Sequence, residues 1–229
     1  MTRVVAVDTS TWLEGIALVE ERRSTVSVSE NRLEVDDSHS VHLLGRLERL
    51  LAEAGWDRST VDAWVATRGP GSFTGLRVGL GTILGLGLAS GRPCIGVGTL
   101  DSMAEAFGPA AGDRVPLLDA GREEAYGARF DATSSPPVEL DAPWLGSPER
   151  ATRDATGDAV VFGPGASRYR DRLEAAGWRG AVHTGQVPVA AGAGRLALHR
   201  LSSGELSGSE GLAPLYLRPP DAELKRGKA

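Results

Sequence analysis

Three short stretches carry the residue types that could act on a ligand. Asp8-Thr9-Ser10 closes the apolar run Val4-Val5-Ala6-Val7. A carboxylate, two hydroxyls and the amides of a strand-end loop can together hold a magnesium-bound phosphate. The same residues can equally satisfy their own turn, because short polar side chains bond nearby backbone groups. Gly69-Pro70-Gly71 leads through Ser72 into an apolar segment, and a helix starting there would aim its first amides at an anion. No Gly-Lys-Ser/Thr follows, so this is not a Walker loop, and a tight turn is an equal reading. Asp119, Arg122, Glu123 and Glu124 gather charge beside the apolar run Val115–Leu118. They fit a charged hinge or interface better than a catalytic carboxylate pair.

Other chemistry has few candidates. His39 and His42 lie three residues apart, but the remaining histidines, His183 and His199, stand alone and no cysteine cluster completes a site. No metal is expected on that count. The single cysteine, Cys94, allows no internal disulfide and reads as a buried thiol in a reducing compartment. There is no Gly-x-Ser-x-Gly elbow and no evident Ser/His/Asp or Cys/His set, so no catalytic residue is assigned. A net charge of −5 argues against a broad phosphate-binding face. The one basic cluster, Lys225-Arg226-Gly227-Lys228, reads as a solvated terminus. No targeting segment is read at Met1-Thr2-Arg3, which leads straight into a strand.

The elements that must position these residues follow from pattern. Strands are expected at Val4–Val7, Gly15–Glu20 and Thr25–Leu33, as an antiparallel meander. Ser38 is placed to cap a helix over His39–Ala54, with Leu43, Leu44, Leu47, Leu50 and Leu51 on its apolar side. A strand at Val61–Ala66 precedes a glycine-rich helix ending at Gly91. A strand at Ile95–Val97 and a helix at Leu100–Phe107 close the first half. The second half opens alike, with strands at Val115–Leu118 and Glu124–Phe130. A helix start at Ser147-Pro148, a strand at Ala159–Phe162 running into Gly163-Pro164-Gly165, a helix to about Ala176 and a last helix at Pro188–Leu201 follow. Leu212–Leu217 is expected to be a short strand returning to the first half. Two strand-then-Asp openings, at Asp8 and Asp119, suggest two related subdomains.

The glycine helix needs a reason. Gly75, Gly79, Gly81, Gly85 and Gly87 alternate with large aliphatics, and each interior glycine costs about 1 kcal/mol relative to alanine. Gly75/Gly79 and Gly81/Gly85 repeat at i, i+4, which would let another backbone approach closely. The uncharged stretch Val78–Ser90 is shorter than the roughly 20 residues a bilayer requires, so no membrane span is expected.

Val5-Ala6-Val7-Asp8-Thr9-Ser10, Ser38-His39-Ser40 and Arg68-Gly69-Pro70-Gly71-Ser72-Phe73-Thr74-Gly75-Leu76-Arg77-Val78-Gly79 together resemble the TsaB (YeaZ) family, also called glycoprotease-like. So do Gly96-Val97-Gly98-Thr99-Leu100, Leu118-Asp119-Ala120 with Glu124-Ala125-Tyr126, and Pro214-Leu215-Tyr216-Leu217-Arg218. The resemblance implies an α/β fold of the actin-like ASKHA (ribonuclease H-like) kind. It implies an N-terminal subdomain at 1–106 carrying the partner-binding helices, a degenerate second subdomain at 107–204, and a C-terminal segment, 205–229, packing back on the first. It implies a cytoplasmic, non-catalytic partner and activator of TsaD, the enzyme that makes N6-threonylcarbamoyladenosine (t6A) in tRNA. The ATPase TsaE would join a ternary complex, tRNA would be met only through the complex, and the isolated chain would pair with itself.

By position, the partner surface falls on His39, Leu43, Leu47, Gly75, Leu76, Arg77, Gly79, Leu80, Ile83 and Gly85. Asp8, Thr9 and Ser10 are the only cofactor candidates. No cofactor is expected on the chain alone, though ATP or ADP can sit where it meets its partner. The catalytic paralogue's His-x-x-x-His pair has no counterpart here, since His39-Ser40-Val41-His42 has the wrong spacing. The family usually has Asp-Ala-Arg-Arg where this chain has Asp119-Ala120-Gly121-Arg122. The competing expectation is an ASKHA-type ATP-dependent small-molecule kinase built around Asp8 and Asp119.

Overall fold

Two five-stranded sheets repeat one strand order. The computed structural model describes residues 1–35, 39–153, 155, 157–205, 209 and 211–218, with backbone alone at 39–41. The first sheet comprises β1 (Thr2–Asp8), β2 (Leu13–Arg22), β3 (Thr25–Glu34), β4 (Ala63–Thr67) and β5 (Cys94–Val97), in the order β3-β2-β1-β4-β5. β1, β2 and β3 pair antiparallel, while β4 and β5 join in parallel. The second comprises β6 (Arg114–Gly121), β7 (Glu124–Phe130), β8 (Glu139–Gly146), β9 (Val160–Phe162) and β10 (Ala181–His183). Read from β8, its order is β8-β7-β6-β9-β10, with the same sense at every pairing. Asp8 and Asp119 therefore occupy equivalent places on the leading central strands.

Helices complete each unit. In the first, α1 (His39–Glu53) and α2 (Phe73–Ser90) lie between strands, and α3 (Thr99–Phe107) follows β5. In the second, α1 is replaced by a single 3-10 turn at Pro148–Thr152. The counterpart of α2 is broken at Tyr169 into α4 (Pro164–Arg168) and α5 (Arg170–Ala175), and α6 (Val189–Ser202) comes last. This shortening is what makes the second unit degenerate.

The two units exchange their last helices. α6 packs its Ala190, Ala193, Leu196 and Ala197 against Val4, Ala6, Ala17 and Val65 of the first sheet. α3 sends Leu100, Met103 and Ala104 against Leu118, Phe130 and Phe162 of the second. The first sheet is thus covered on both faces, by α6 and by α1 with α2. That explains why Val4-Val5-Ala6-Val7 is apolar without alternation. α3 and α6 cross at Gly192, where a Cβ would run into the Ser102 carbonyl.

Several sequence expectations need correction. Leu212–Leu217 is not a strand: 211–218 contains no regular element. Its Leu215 amide bonds the Arg68 carbonyl at 2.6 Å and nothing continues the ladder. The helix expected at Ser147-Pro148 is only the 3-10 turn. β8 and β10 were not expected from pattern; β8 is largely exposed and carries Pro143, and β10 is three residues long. The cap expected at Ser38 lies outside the described residues.

Candidate functional site: an apolar helix face and an interlobe cleft

The loop after β1 is built inward. Asp8, Thr9 and Ser10 are all buried. Asp8 Oδ1 accepts from the Thr67 hydroxyl at 2.7 Å and from the Ser10 amide at 3.1 Å. Thr9 donates its hydroxyl to the Gly75 carbonyl at 2.7 Å. The Ser10 carbonyl accepts the Ser72 amide at 2.7 Å. These bonds fasten the loop to the start of α2. Ser72 caps α2 by accepting the Gly75 amide at 3.2 Å, and Gly91 ends it at φ +65°.

Two adjoining cavities, of about 630 and 490 Å³, run between the lobes and share Thr11, Trp12, Leu118, Asp119 and Pro164. Asp8, Glu30 and Asp119 line the smaller one, together with Arg32 and Arg168. Burial pushes the Glu30 carboxyl up to about 7, against the pull of Arg32 and of the first amides of α6 at Ala191 and Ala190. Asp119 Oδ1 accepts from the Tyr169 hydroxyl at 2.6 Å and from the Gly121 amide at 2.9 Å, and its other oxygen lies 3.4 Å from Arg168. Burial, reinforced by Asp119, pushes the Tyr169 hydroxyl up to about 12, so it stays protonated and donates. Where the family pattern has an arginine, Gly121 sits at φ +68° in a left-handed corner. A guanidinium reaches that corner from Arg218, which donates to the Ala120 carbonyl and the Glu124 carboxylate.

Three carboxyl groups and the two guanidiniums of Arg32 and Arg168 thus face one another across this cleft. Gly163 and Gly165 are taken up by packing, since a Cβ on either would strike the backbone of β6 at Leu117. The Ser10 hydroxyl is buried and unpartnered among the described residues, but Gly71 lies directly over Ser10.

The partner surface expected from sequence is only partly on the surface. Leu43, Leu47, Gly75, Leu76, Gly79, Leu80 and Ile83 are buried within this chain. Gly79 makes room for Thr9, and Gly87 for Cys94, rather than for another chain. Arg77 and Gly85 are exposed. The His39 side chain lies outside the described residues. The outward face of α2 is instead Arg77, Gly81, Leu84, Gly85 and Leu88. No atom lies within 4 Å of a Cβ built on Gly81 or Gly85, and Leu84 and Leu88 are 42% and 89% exposed. Leu44 of α1 is 45% exposed. By length and composition α2 is apolar enough to cross a membrane, but its Leu80, Ile83 and Leu86 belong to the core of the first lobe. The sequence pattern pairs both Gly75 with Gly79 and Gly81 with Gly85; only the second pair faces outward.

Two copies of one β-meander unit with added parallel strands, joined by exchanged helices around a cleft, define the actin-like, ribonuclease H-like class. Residues 33–135 match the family model described as TsaD, tRNA N6-adenosine threonylcarbamoyltransferase. The chain is 31% identical over 227 residues to an uncharacterized protein of Mycobacterium tuberculosis, covering 97% of this chain and 95% of that one. It is 27% identical over 230 residues to tRNA threonylcarbamoyladenosine biosynthesis protein TsaB of Escherichia coli, covering 94% of each. YeaZ from Pseudomonas aeruginosa superposes with a TM-score of 0.80 at 27% identity, over 95% of this chain and 100% of that one. The chain belongs to the TsaB (YeaZ) family.

Proposed function

We propose that this chain is the non-catalytic partner and activator of TsaD in forming t6A in tRNA. The observation that carries the reading is the exposed apolar stripe of α2, Gly81-Leu84-Gly85-Leu88. An exposed apolar face with small residues at i, i+4 marks a place where another helix can pack closely. The relatives named for t6A biosynthesis supply the pathway, and the TsaD family match supplies a partner of related fold. In isolation the same stripe pairs with a second copy.

The reading assigns this chain no nucleotide of its own. ATP or ADP enters at the joint surface with TsaD, TsaE completes a ternary assembly, and tRNA is met through the complex. The place of action is the cytoplasm. Sedimentation of the chain with the TsaD of its own organism tests the pairing directly. A heterodimer that is lost in Leu88→Lys supports it; a heterodimer indifferent to Leu88→Lys and Gly85→Leu removes the α2 face from the account.

A further inference from the structure

Residues 211–218 form neither helix nor strand, yet they touch both lobes. Gly211 lies against Gly96 of β5, where a Cβ on either would meet the other's carbonyl. The Leu215 amide is bonded to Arg68, and its carbonyl covers Gly69. The Tyr216 ring rests on Phe73, with centroids 4.8 Å apart. Arg77 lies over Phe73 at 3.8 Å and donates its Nε to the Tyr216 hydroxyl at 3.1 Å. Leu217 then joins the apolar cluster of α3, β6 and β7. Arg218 ends the run on the second lobe, at Ala120 and Glu124.

We infer that this segment is a strap that couples the outer face of α2 to the β6–β7 corner of the second lobe. Its two grips differ in kind. At the α2 end, Arg77 is itself exposed on the proposed docking face, so a partner seated there covers the Arg77–Phe73–Tyr216 stack. Removing water from that stack strengthens its cation–π and hydrogen-bond contacts. At the other end Arg218 makes charge-assisted bonds with its side chain only 17% exposed, where salt screens them little. Between the grips, Leu215–Arg218 line the larger cavity together with Ser10–Trp12 and Leu118–Ala120. Ordering the strap from the α2 end therefore tightens the corner that forms the far wall of the cleft. The coupling rests on the docking reading only for its trigger; the strap itself is a property of the free chain.

Hydrogen exchange of the full chain, with and without the TsaD of its organism, tests both parts. In the free chain, Arg218→Ala should speed exchange at residues 120–126 about ten- to hundredfold, the range expected when hydrogen bonds to a charged group are lost. Exchange in β1 and β4 should not change. In the wild type, diluted to the monomer so that its own pairing does not already cover α2, docking of TsaD should slow exchange at 120–126. Tyr216→Phe, which keeps the ring and removes the hydroxyl held by Arg77, should dock and lose that slowing. Unchanged exchange at 120–126 in free Arg218→Ala would overturn the strap whatever the partner does. Docking that slows the corner equally in wild type and Tyr216→Phe would overturn the coupling. Failure of the wild type to dock would refute the proposed function and with it the trigger, while the free-chain comparison still decides the strap.

Discussion

The carboxyl of Glu30 sits beside Gly15 and the first turn of α6, with one oxygen buried and unpartnered among the described residues. Its folded pKa of about 7 lies above the ordinary 4.5, chiefly through burial. Ionised Glu30 therefore opposes folding, and that cost is complete above pH 7 and gone below about 4.5. Glu30→Gln should raise the thermal midpoint at pH 8, and the gain should shrink as pH falls from 7 towards 4.5. A gain that is constant across this range would show that the carboxyl's charge is not the cause. Gly79 offers a second residue-scale prediction. A side chain there strikes Thr9 and breaks the fastening of the β1 loop. Gly79→Leu should cost at least the 1–3 kcal/mol typical of overpacking, read as a lowered denaturant midpoint of the chain itself. An unchanged midpoint would mean that the loop gives way without cost.

At the scale of elements, α2 explains why the sequence was only half legible. Its existence, cap and glycine content were plain from Ser72 to Gly91. Which glycines face inward was not, because the helix is apolar on nearly every side and periodicity cannot then separate core from surface. Leu76, Leu80 and Ile83 fill the core, and Leu84 and Leu88 do not, although all five are large aliphatics. The decision is made by Thr9, distant in sequence, and by Cys94, just beyond the helix on β5, which occupy the space over Gly79 and Gly87. β1 and β6 were legible because both faces of each are covered and their apolar runs are unbroken. β8 was not, because an exposed edge strand keeps polar residues, and β10 was not, because three residues carry no readable period. The corresponding prediction is a contrast within one helix. Gly85→Leu should leave the denaturant midpoint of the monomer nearly unchanged but lower the sedimenting mass of the pair. A pair that survives Gly85→Leu while Gly79→Leu alone disrupts it would place the contact elsewhere.

For the whole molecule, the exchanged helices make the lobes interdependent. α3 and α6 cross with Gly192 against the Ser102 carbonyl, so one face of each sheet is covered only when the other lobe is present. Gly192→Val should therefore destabilise both lobes together, by about 1–3 kcal/mol or more, in a single transition by circular dichroism and tryptophan fluorescence. Two separated transitions would show that the lobes fold independently. The duplication was legible from the repeated strand-then-Asp openings. The exchange of α3 and α6 was not, since nothing local in either helix says which sheet it covers.

The account rests on this chain acting through TsaD rather than by itself. The direct test is threonylcarbamoyl transfer to tRNA by the TsaD of the same organism, supplied with threonylcarbamoyl-AMP and TsaE, with and without this chain. The account predicts negligible transfer by the chain alone, strong stimulation when it is added to TsaD, and loss of that stimulation in Leu88→Lys. Robust transfer by the chain alone, or TsaD activity indifferent to its presence, would contradict it.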